Sequence, residues 1–175
     1  MRIRIHELGK HEADWKAFTQ QGDGCGLPIT IVYTTEHGTL AALKAAAALA
    51  RDLNARLGLI VTEVVPFRLP IDQPRVSVDF LRERQDTLIW EAGLAGDEIR
   101  VQICVCRDTK ETLARLLPTP SLVVLGGRRG WWPRREGRLE TFLSRLGHHV
   151  IFIDARAHKS ADEAGPSIPK IPVTK

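Results

Sequence analysis

The sequence has few cysteines, few aromatic residues and no long apolar run. Three of its 175 residues are cysteine, and 6% are aromatic. Three cysteines cannot all pair and nothing else indicates a disulfide scaffold, so we expect a reducing compartment, the cytoplasm. No apolar run approaches the roughly 20 residues that span a bilayer. Residues 1–15 also lack the uninterrupted apolar core of a signal peptide.

Motifs of several enzyme classes are also missing. The chain contains no G-x-S-x-G elbow, no H-E-x-x-H pair, no Walker A sequence and no dinucleotide fingerprint. A response-regulator receiver, which has a similar topology, needs an acidic cluster after its first strand and an acceptor aspartate after its third. Thr34-Thr35 and Arg107-Asp108 do not supply that arrangement. We therefore expect a protein that is not an enzyme.

The composition fits one globular domain with two appended segments. Hydrophobic residues make up 43% of the chain, charged residues 26%, and the net charge of +4 is modest. We divide the chain into an N-terminal extension (1–26), an α/β domain (27–156) and a flexible polar tail (157–175). At the start of the extension, apolar and charged residues alternate as they do in an edge strand. The extension then places Trp15 and Phe18 on one side of a predicted helical turn.

Within the domain, short β-branched runs alternate with amphipathic segments. The first two helices are predicted over Thr39–Arg56 and over about 18 residues from Val78. A third helix is predicted after Asp108, which opens a capping box with Glu111. The last helix is predicted to end at Gly147. Because strands that alternate with helices need crossover connections, we predict a five-stranded parallel sheet with helices on both faces. Its strands are Ile29–Tyr33, Leu57–Val65, Ile99–Cys106, Ser121–Leu125 and His149–Asp154.

The stretch from Ser121 to Arg138 carries most of the functional information. An apolar strand stops at Gly126-Gly127, and a loop with five arginines, one glutamate and two tryptophans leads into a helix. A glycine turn between a buried strand and a helix is where open α/β sheets bind anions, and guanidinium groups suit phosphate. The alternative is a basic surface loop with a tryptophan lid. Tryptophan and arginine also suit nucleic acid or a membrane surface, but five arginines are few, and we expect neither partner.

Other polar residues give weaker indications. Cys104 and Cys106 point to the same face of a strand, but no further ligands stand at metal spacing, so we interpret them as structural. His37 falls in the first ligand loop, where a lone histidine is usually solvated. We predict no metal site.

Three segments resemble the universal stress protein family. ITIVYTTEHGTLAALKAAAALARDLNARLGLIVTEVV is similar to that family's opening strand, alanine-rich helix and second strand. CRDTKETLARLLPTPSLVVLGGRRG resembles its capped helix and the strand before the glycine loop, and HHVIFID resembles its closing strand. The resemblance covers about Pro28 to Asp154. It implies a Rossmann-like fold of the adenine nucleotide alpha hydrolase type, ATP or another nucleotide as ligand, and a homodimer through Val150–Asp154.

The sequence departs from the family pattern at the ligand site. ATP-binding members carry an acidic residue after the first strand, where this chain has Thr34, followed by Thr35 in place of glycine. The family's phosphate motif, G-x2-G-x9-G-[ST], is incomplete after Gly127-Arg-Arg-Gly130. A hydrogen bond to a charged group contributes roughly 1.5–3 kcal/mol, so loss of the acidic contact weakens adenosine binding by about one to two powers of ten. Arginines can recover phosphate affinity but not base discrimination.

The family's strand order implies that loops Thr34–Gly38 and Gly126–Gly130 flank one crevice. We therefore predict a non-enzymatic regulatory module of the stress response that binds a phosphate-bearing small molecule there. The alternative is a module without a ligand, whose Arg/Trp loop docks a protein, membrane or nucleic-acid partner. The predicted binding residues are Gly126, Gly127, Arg128, Arg129, Gly130, Arg134, Thr34 and Thr35.

Overall fold

The computed structural model describes residues 4–8 (backbone only), 15, 18, 26–128 and 135–156. The described strands form one six-stranded sheet in the order β1-β4-β3-β2-β5-β6. The strands are β1 (Arg4–Leu8), β2 (Pro28–Val32), β3 (Arg56–Val64), β4 (Ile99–Cys106), β5 (Leu122–Gly127) and β6 (His149–Asp154).

Strands β2 to β6 are parallel, which confirms the predicted five-stranded parallel sheet. The sixth strand, β1, comes from the N-terminal extension and pairs antiparallel with β4. It occupies the sheet edge that β4 would otherwise present, so the described part of this extension belongs to the sheet.

Strand β5 continues further than the sequence analysis expected. Its predicted end was Leu125, because the glycine pair was taken as a stop. Gly126 and Gly127 instead pair with Ile153 and Asp154 of β6, and both glycines are buried. The strand therefore ends two residues later than predicted, at Gly127.

Four helices within the described ranges connect the parallel strands. They are α1 (Glu36–Leu53), α2 (Val78–Glu91), α3 (Thr109–Leu116) and α4 (Arg135–Arg145). Helix α1 begins before the predicted Thr39, because Thr35 caps its first turn, and it ends before the predicted Arg56, because Asn54 adopts a left-handed conformation with φ 48°. Helix α2 has 14 residues, fewer than expected.

The core consists of two apolar layers, one on each face of the sheet. Helices α1 and α2 pack on one face through residues such as Leu43 and Leu88. Helices α3 and α4 pack on the other through Leu113, Leu139 and Leu143. This arrangement confirms helices on both faces. Leu146, one residue beyond the end of α4, is 42% exposed.

Trp15 and Phe18 complete the layer formed by α3 and α4. Both side chains are buried, and their ring centroids are 4.8 Å apart. Phe18 lies directly over Gly58 of β3, where an added Cβ atom would be only 2.6 Å from the ring. The Trp15 indole N–H donates to the carbonyl oxygen of Leu116 in α3 at 3.1 Å. This part of the extension therefore covers the sheet face beside α3.

Candidate functional site

The strand order reverses between the neighbouring strands β2 and β5. From β2 the chain crosses to β3 through α1, in the first helical layer, whereas from β5 it crosses to β6 through α4, in the second. The loops that follow β2 and β5 therefore lead to opposite faces of the sheet. A crevice outside the carboxyl ends of such strands is the usual ligand site of open α/β sheets.

Two contacts join the segment after β2 to the end of strand β5. The Thr34 hydroxyl donates a hydrogen bond to the carbonyl oxygen of Gly126. Gly38, in the first turn of α1, packs backbone to backbone on Gly126, and a Cβ atom added to Gly126 would lie 1.8 Å from the Gly38 oxygen. Only residues without a side chain allow α1 to approach β5 this closely.

Both predicted threonines make contacts within the protein. Thr35 Oγ1 accepts the N–H of Gly38 at 3.2 Å and thereby caps α1. The Thr34 N–H donates to Thr39 Oγ1 at 3.2 Å, while the Thr34 side chain binds Gly126. These bonds position the start of α1, and the predicted contact of either threonine with a ligand stays a prediction.

The glycines of β5 lead directly into the predicted arginine loop. Arg128, the first residue after the strand, is exposed. Gly127 lies against the first turn of α4, since a Cβ atom added there would be 3.0 Å from Cγ of Glu136. The predicted contributions of Arg129, Gly130 and Arg134 lie outside the described residues.

A cavity of about 620 Å³ lies at the same edge of the sheet, between α3 and α4. This volume is within the range of small-molecule sites, roughly 300–1,000 Å³. Half of the described lining residues are cationic and come from the start of α3 and the start of α4. The lining residues are Val64, Arg107, Asp108, Thr109, Lys110, Arg135, Arg138 and Leu139.

Backbone carbonyl groups hold the guanidinium of Arg107. It donates to the oxygens of Val65 at 2.9 Å and Leu69 at 2.8 Å, and also to that of Pro66. Its Cζ atom lies 5.4 Å from the ring centroid of Phe67, close enough for a cation–π interaction. Arg107 thus anchors the loop after β3 while it borders the cavity.

Lys110 and Arg135 are also held by neighbouring side chains. The Lys110 ammonium lies 5.4 Å from the ring centroid of Phe142 in α4. Arg135 donates to Thr109 Oγ1 at 3.4 Å, and Thr109 Oγ1 lies 3.3 Å from Thr62 Oγ1 at the end of β3. These contacts tie the starts of α3 and α4 to the cavity wall.

Acidic groups offset only part of this positive charge. The Asp108 carboxylate accepts the N–H of Glu111 at 2.8 Å and so caps α3, which confirms the Asp108 half of the predicted capping box. The Glu111 carboxylate instead accepts a hydrogen bond from Arg115 at 2.6 Å. Burial raises the pKa of Glu63 at the end of β3, and the nearby Arg135 charge lowers it in part. Within the described segments no salt bridge involves a lining cation; the ion pairs there are Arg82–Asp79, Arg84–Glu36 and Arg115–Glu111.

The acidic side chain in the loop after β2 is also engaged. Glu36 accepts a hydrogen bond from Arg84 at 2.9 Å, which ties α2 to the first turn of α1. Tyr33, beside this pair, has a pKa raised by burial; the Arg84 charge opposes that shift and the Glu36 charge adds to it. On this face of the sheet, therefore, the positive charge of Arg84 is already paired with the carboxylate of Glu36.

The weaker candidates from the sequence have ordinary surroundings. Cys104 and Cys106 are buried, and burial raises the pKa of the Cys106 thiol. His37 is exposed. Among the described side chains, no three His, Cys, Asp or Glu residues lie close enough together to hold a metal ion. No helix in the described ranges combines the length and apolarity needed to cross a membrane.

The sequence analysis did not select the four cations around the cavity. Arg135 and Arg138 were counted in the arginine loop, but they belong to the first turns of α4. Arg107 and Lys110 follow β4; the sequence analysis compared Arg107 only with the receiver pattern and did not single out Lys110. A cluster of cations after two different parallel strands was the available indication, because such strands end at one edge of the sheet.

Comparisons with known proteins give one informative result. No family model matches the chain, and a search of curated proteins found no match. Among solved structures, the chain is similar to a universal stress protein whose crystal structure is described as a complex with cAMP. The identity is 18%, the TM-score is 0.47, and the match covers 75% of this chain and 99% of the other. That structure carries the name of the family that the sequence resembles.

Proposed function

We propose that this chain is a regulatory binding module of the universal stress protein type, and not an enzyme. It binds a phosphate-bearing small molecule, such as a nucleotide, at the loops that follow β2 and β5. The observation that supports the site is the hydrogen bond from the Thr34 hydroxyl to Gly126, which joins the loop after β2 to the end of β5 at the strand-order reversal.

The roles within this site follow from its geometry. Gly126 and Gly127 hold the backbone of the β5 exit close to α1 and α4. Arg128 stands exposed at that exit and supplies a charge-assisted contact to phosphate. Because Thr34 replaces the acidic residue of ATP-binding relatives, the site favours phosphate over a particular base.

Thermal unfolding with ATP, ADP, cAMP and cyclic dinucleotides tests this function. A ligand at 100 times its dissociation constant adds about 2.7 kcal/mol of stability. For a domain of this size, that increase corresponds to about 5–11 °C in Tm. Arg128→Ala should reduce the shift, whereas Arg51→Ala, an exposed arginine at the other end of α1, should preserve it.

The outcome separates the two interpretations of the loop. If none of these ligands changes Tm, and Arg128→Ala leaves the stability unchanged, the chain is better described as an interaction module without a ligand. A shift that Arg138→Ala removes and Arg128→Ala preserves would place the ligand in the basic cavity and contradict the loop site.

We also propose that the chain forms a homodimer through Val150–Asp154. Strand β6 lies at an edge of the described sheet, and its side chains Ile151 and Ile153 are only partly buried. A strand at the edge of a sheet presents backbone groups that can pair with a second copy. Sedimentation velocity should give a mass twice 19.5 kDa; a monomer mass at all concentrations would contradict this proposal.

A further inference from the structure

A second cavity, here called the α2 cavity, lies where the loop after β3 meets the first turn of α2. Its volume is about 450 Å³, which is within the range of small-molecule sites. We propose that the α2 cavity binds a free α-amino acid with an apolar side chain. The inference goes beyond the proposed function and does not depend on it.

Four residues that line the α2 cavity are apolar. Val105 of β4 is 1% exposed, and because it lies two residues after Ile103 it is on the sheet face that α1 and α2 cover. Val78 in the first turn of α2 and Ile71 and Pro74 in the loop are half-buried. The basic cavity between α3 and α4 lies on the opposite face. These four residues give an aliphatic side chain an apolar surface on which to pack.

Two opposite charges line the same cavity. Asp72 and Arg75 stand three residues apart in the loop. Within the described part of the chain, neither side chain makes an ion pair or a hydrogen bond, whereas the charge of Arg84 is already paired. A free α-amino acid carries an ammonium and a carboxylate on one carbon atom. Asp72 therefore accepts hydrogen bonds from the ammonium, and Arg75 donates to the carboxylate.

The start of α2 offers the carboxylate a further donor. Ser77, which also lines the cavity, accepts the N–H of Phe80 at 3.2 Å and so caps the helix. The first N–H groups of a helix have no partner inside the helix, so that of Val78 is available to a ligand. The partial positive charge of a helix start also favours an anion. Asp79, the acidic residue of this turn, is paired with Arg82 at 3.5 Å.

Backbone hydrogen bonds order the loop before a ligand arrives. The N–H of Leu69 donates to the carbonyl oxygen of Pro66 at 3.0 Å. The N–H of Gln73 donates to that of Pro70 at 3.1 Å. Arg107 holds the first part of the loop through the Leu69 carbonyl at 2.8 Å. A loop that is already ordered loses less conformational entropy when a ligand binds, so more of each contact appears as affinity.

Titration calorimetry of the full chain with L-leucine tests this site, and three analogues separate its parts. Leucinamide lacks the carboxylate, isocaproate lacks the ammonium, and glycine lacks the apolar side chain. The cavity variants are Asp72→Asn and Arg75→Gln. Their matched controls are Asp86→Asn in α2 and Arg68→Gln in the same loop, which lie outside the described lining. All four residues are exposed, so the variants should fold, and their Tm values check this.

We expect L-leucine to bind more tightly than each of the three analogues. Because the two charged residues are exposed and partly screened, Asp72→Asn and Arg75→Gln should each weaken leucine binding by about two- to ten-fold. Asp72→Asn should also remove the preference for leucine over isocaproate, and Arg75→Gln should remove the preference for leucine over leucinamide. The two control variants should bind leucine like the original chain.

The proposal is overturned if leucine does not bind, if glycine binds as tightly as leucine, or if neither cavity variant weakens leucine binding. An equal loss in the control variants Asp86→Asn and Arg68→Gln would indicate general charge attraction and would overturn it too. Arg128→Ala should bind leucine normally. An equal loss in that variant would place leucine at the loop site and would also overturn the proposal.

Discussion

Replacement of Gly126 by alanine tests the close packing of the end of β5 against the first turn of α1. The new Cβ atom would lie 1.8 Å from the Gly38 oxygen and 3.1 Å from Cβ of Ala42. Contacts between carbon and a carbonyl oxygen are normally about 3.3–3.6 Å. Because the obstructing atom belongs to the backbone, a rotamer change cannot relieve the clash, and α1 must move away from β5. This movement would also strain the Thr34 hydrogen bond to Gly126.

Overpacking usually costs about 1–3 kcal/mol and sometimes more. We expect Gly126→Ala to lower the free energy of unfolding by about 3 kcal/mol or more, at or above the upper end of that range. A loss of about 3 kcal/mol lowers Tm by about 6–12 °C in a domain of this size. Urea unfolding followed by circular dichroism measures the difference. Gly137→Ala is the control, since no atom lies within 4 Å of its added Cβ in α4; it should gain up to about 1 kcal/mol. A loss below about 1 kcal/mol in Gly126→Ala would refute the close approach of α1 to β5.

Two further predictions concern other parts of the fold. Trp15→Ala should lower the free energy of unfolding in urea by about 3–5 kcal/mol, because the ring is buried beside α3. Trp90→Ala, at a side chain that is 79% exposed, should change it by less than about 0.5 kcal/mol. Equal effects of the two substitutions would contradict the packing of the extension. Burial lowers the pKa of His148 in the folded chain. As the pH falls, the imidazole is therefore protonated in the unfolded chain before it is protonated in the folded chain. The stability that the neutral, buried His148 contributes is complete above about pH 6.5 and is lost as the pH falls below that value. His148→Asn should therefore flatten the decline of the urea midpoint between about pH 7 and pH 5.5, and the exposed neighbour variant His149→Asn should not.

The parallel sheet could be predicted because its strands are short, apolar and β-branched. β4 and β6 begin and end where the pattern placed them. The start of α1 was placed too late, because its apolar spacing begins at Leu40 while the local cap at Thr35 decides where the helix begins. Likewise, glycine was read as a strand stop in β5, although close packing on Gly38 is what requires it there.

The approach of the loop after β2 to the end of β5 followed from strand order, but the basic cavity did not. Charged residues in the first turn of an amphipathic helix usually face solvent, and Arg138 has no local feature that distinguishes it from Arg145. Only the three-dimensional arrangement brings Lys110 of α3 and Arg138 of α4 to one cavity. The contacts that place these cations together are made between helices that are distant in sequence, so the sequence pattern within one helix does not predict the cavity.

Native mass spectrometry of the full chain, before and after addition of excess ATP, tests the central claim most directly. The claim is that the carboxyl edge of this sheet binds a phosphate-bearing small molecule. We predict an adduct whose collisional release yields phosphate fragments, and a reduced proportion of it in Arg128→Ala. A spectrum that contains only the unliganded 19.5 kDa chain or its dimer, even with ATP present, would contradict the claim.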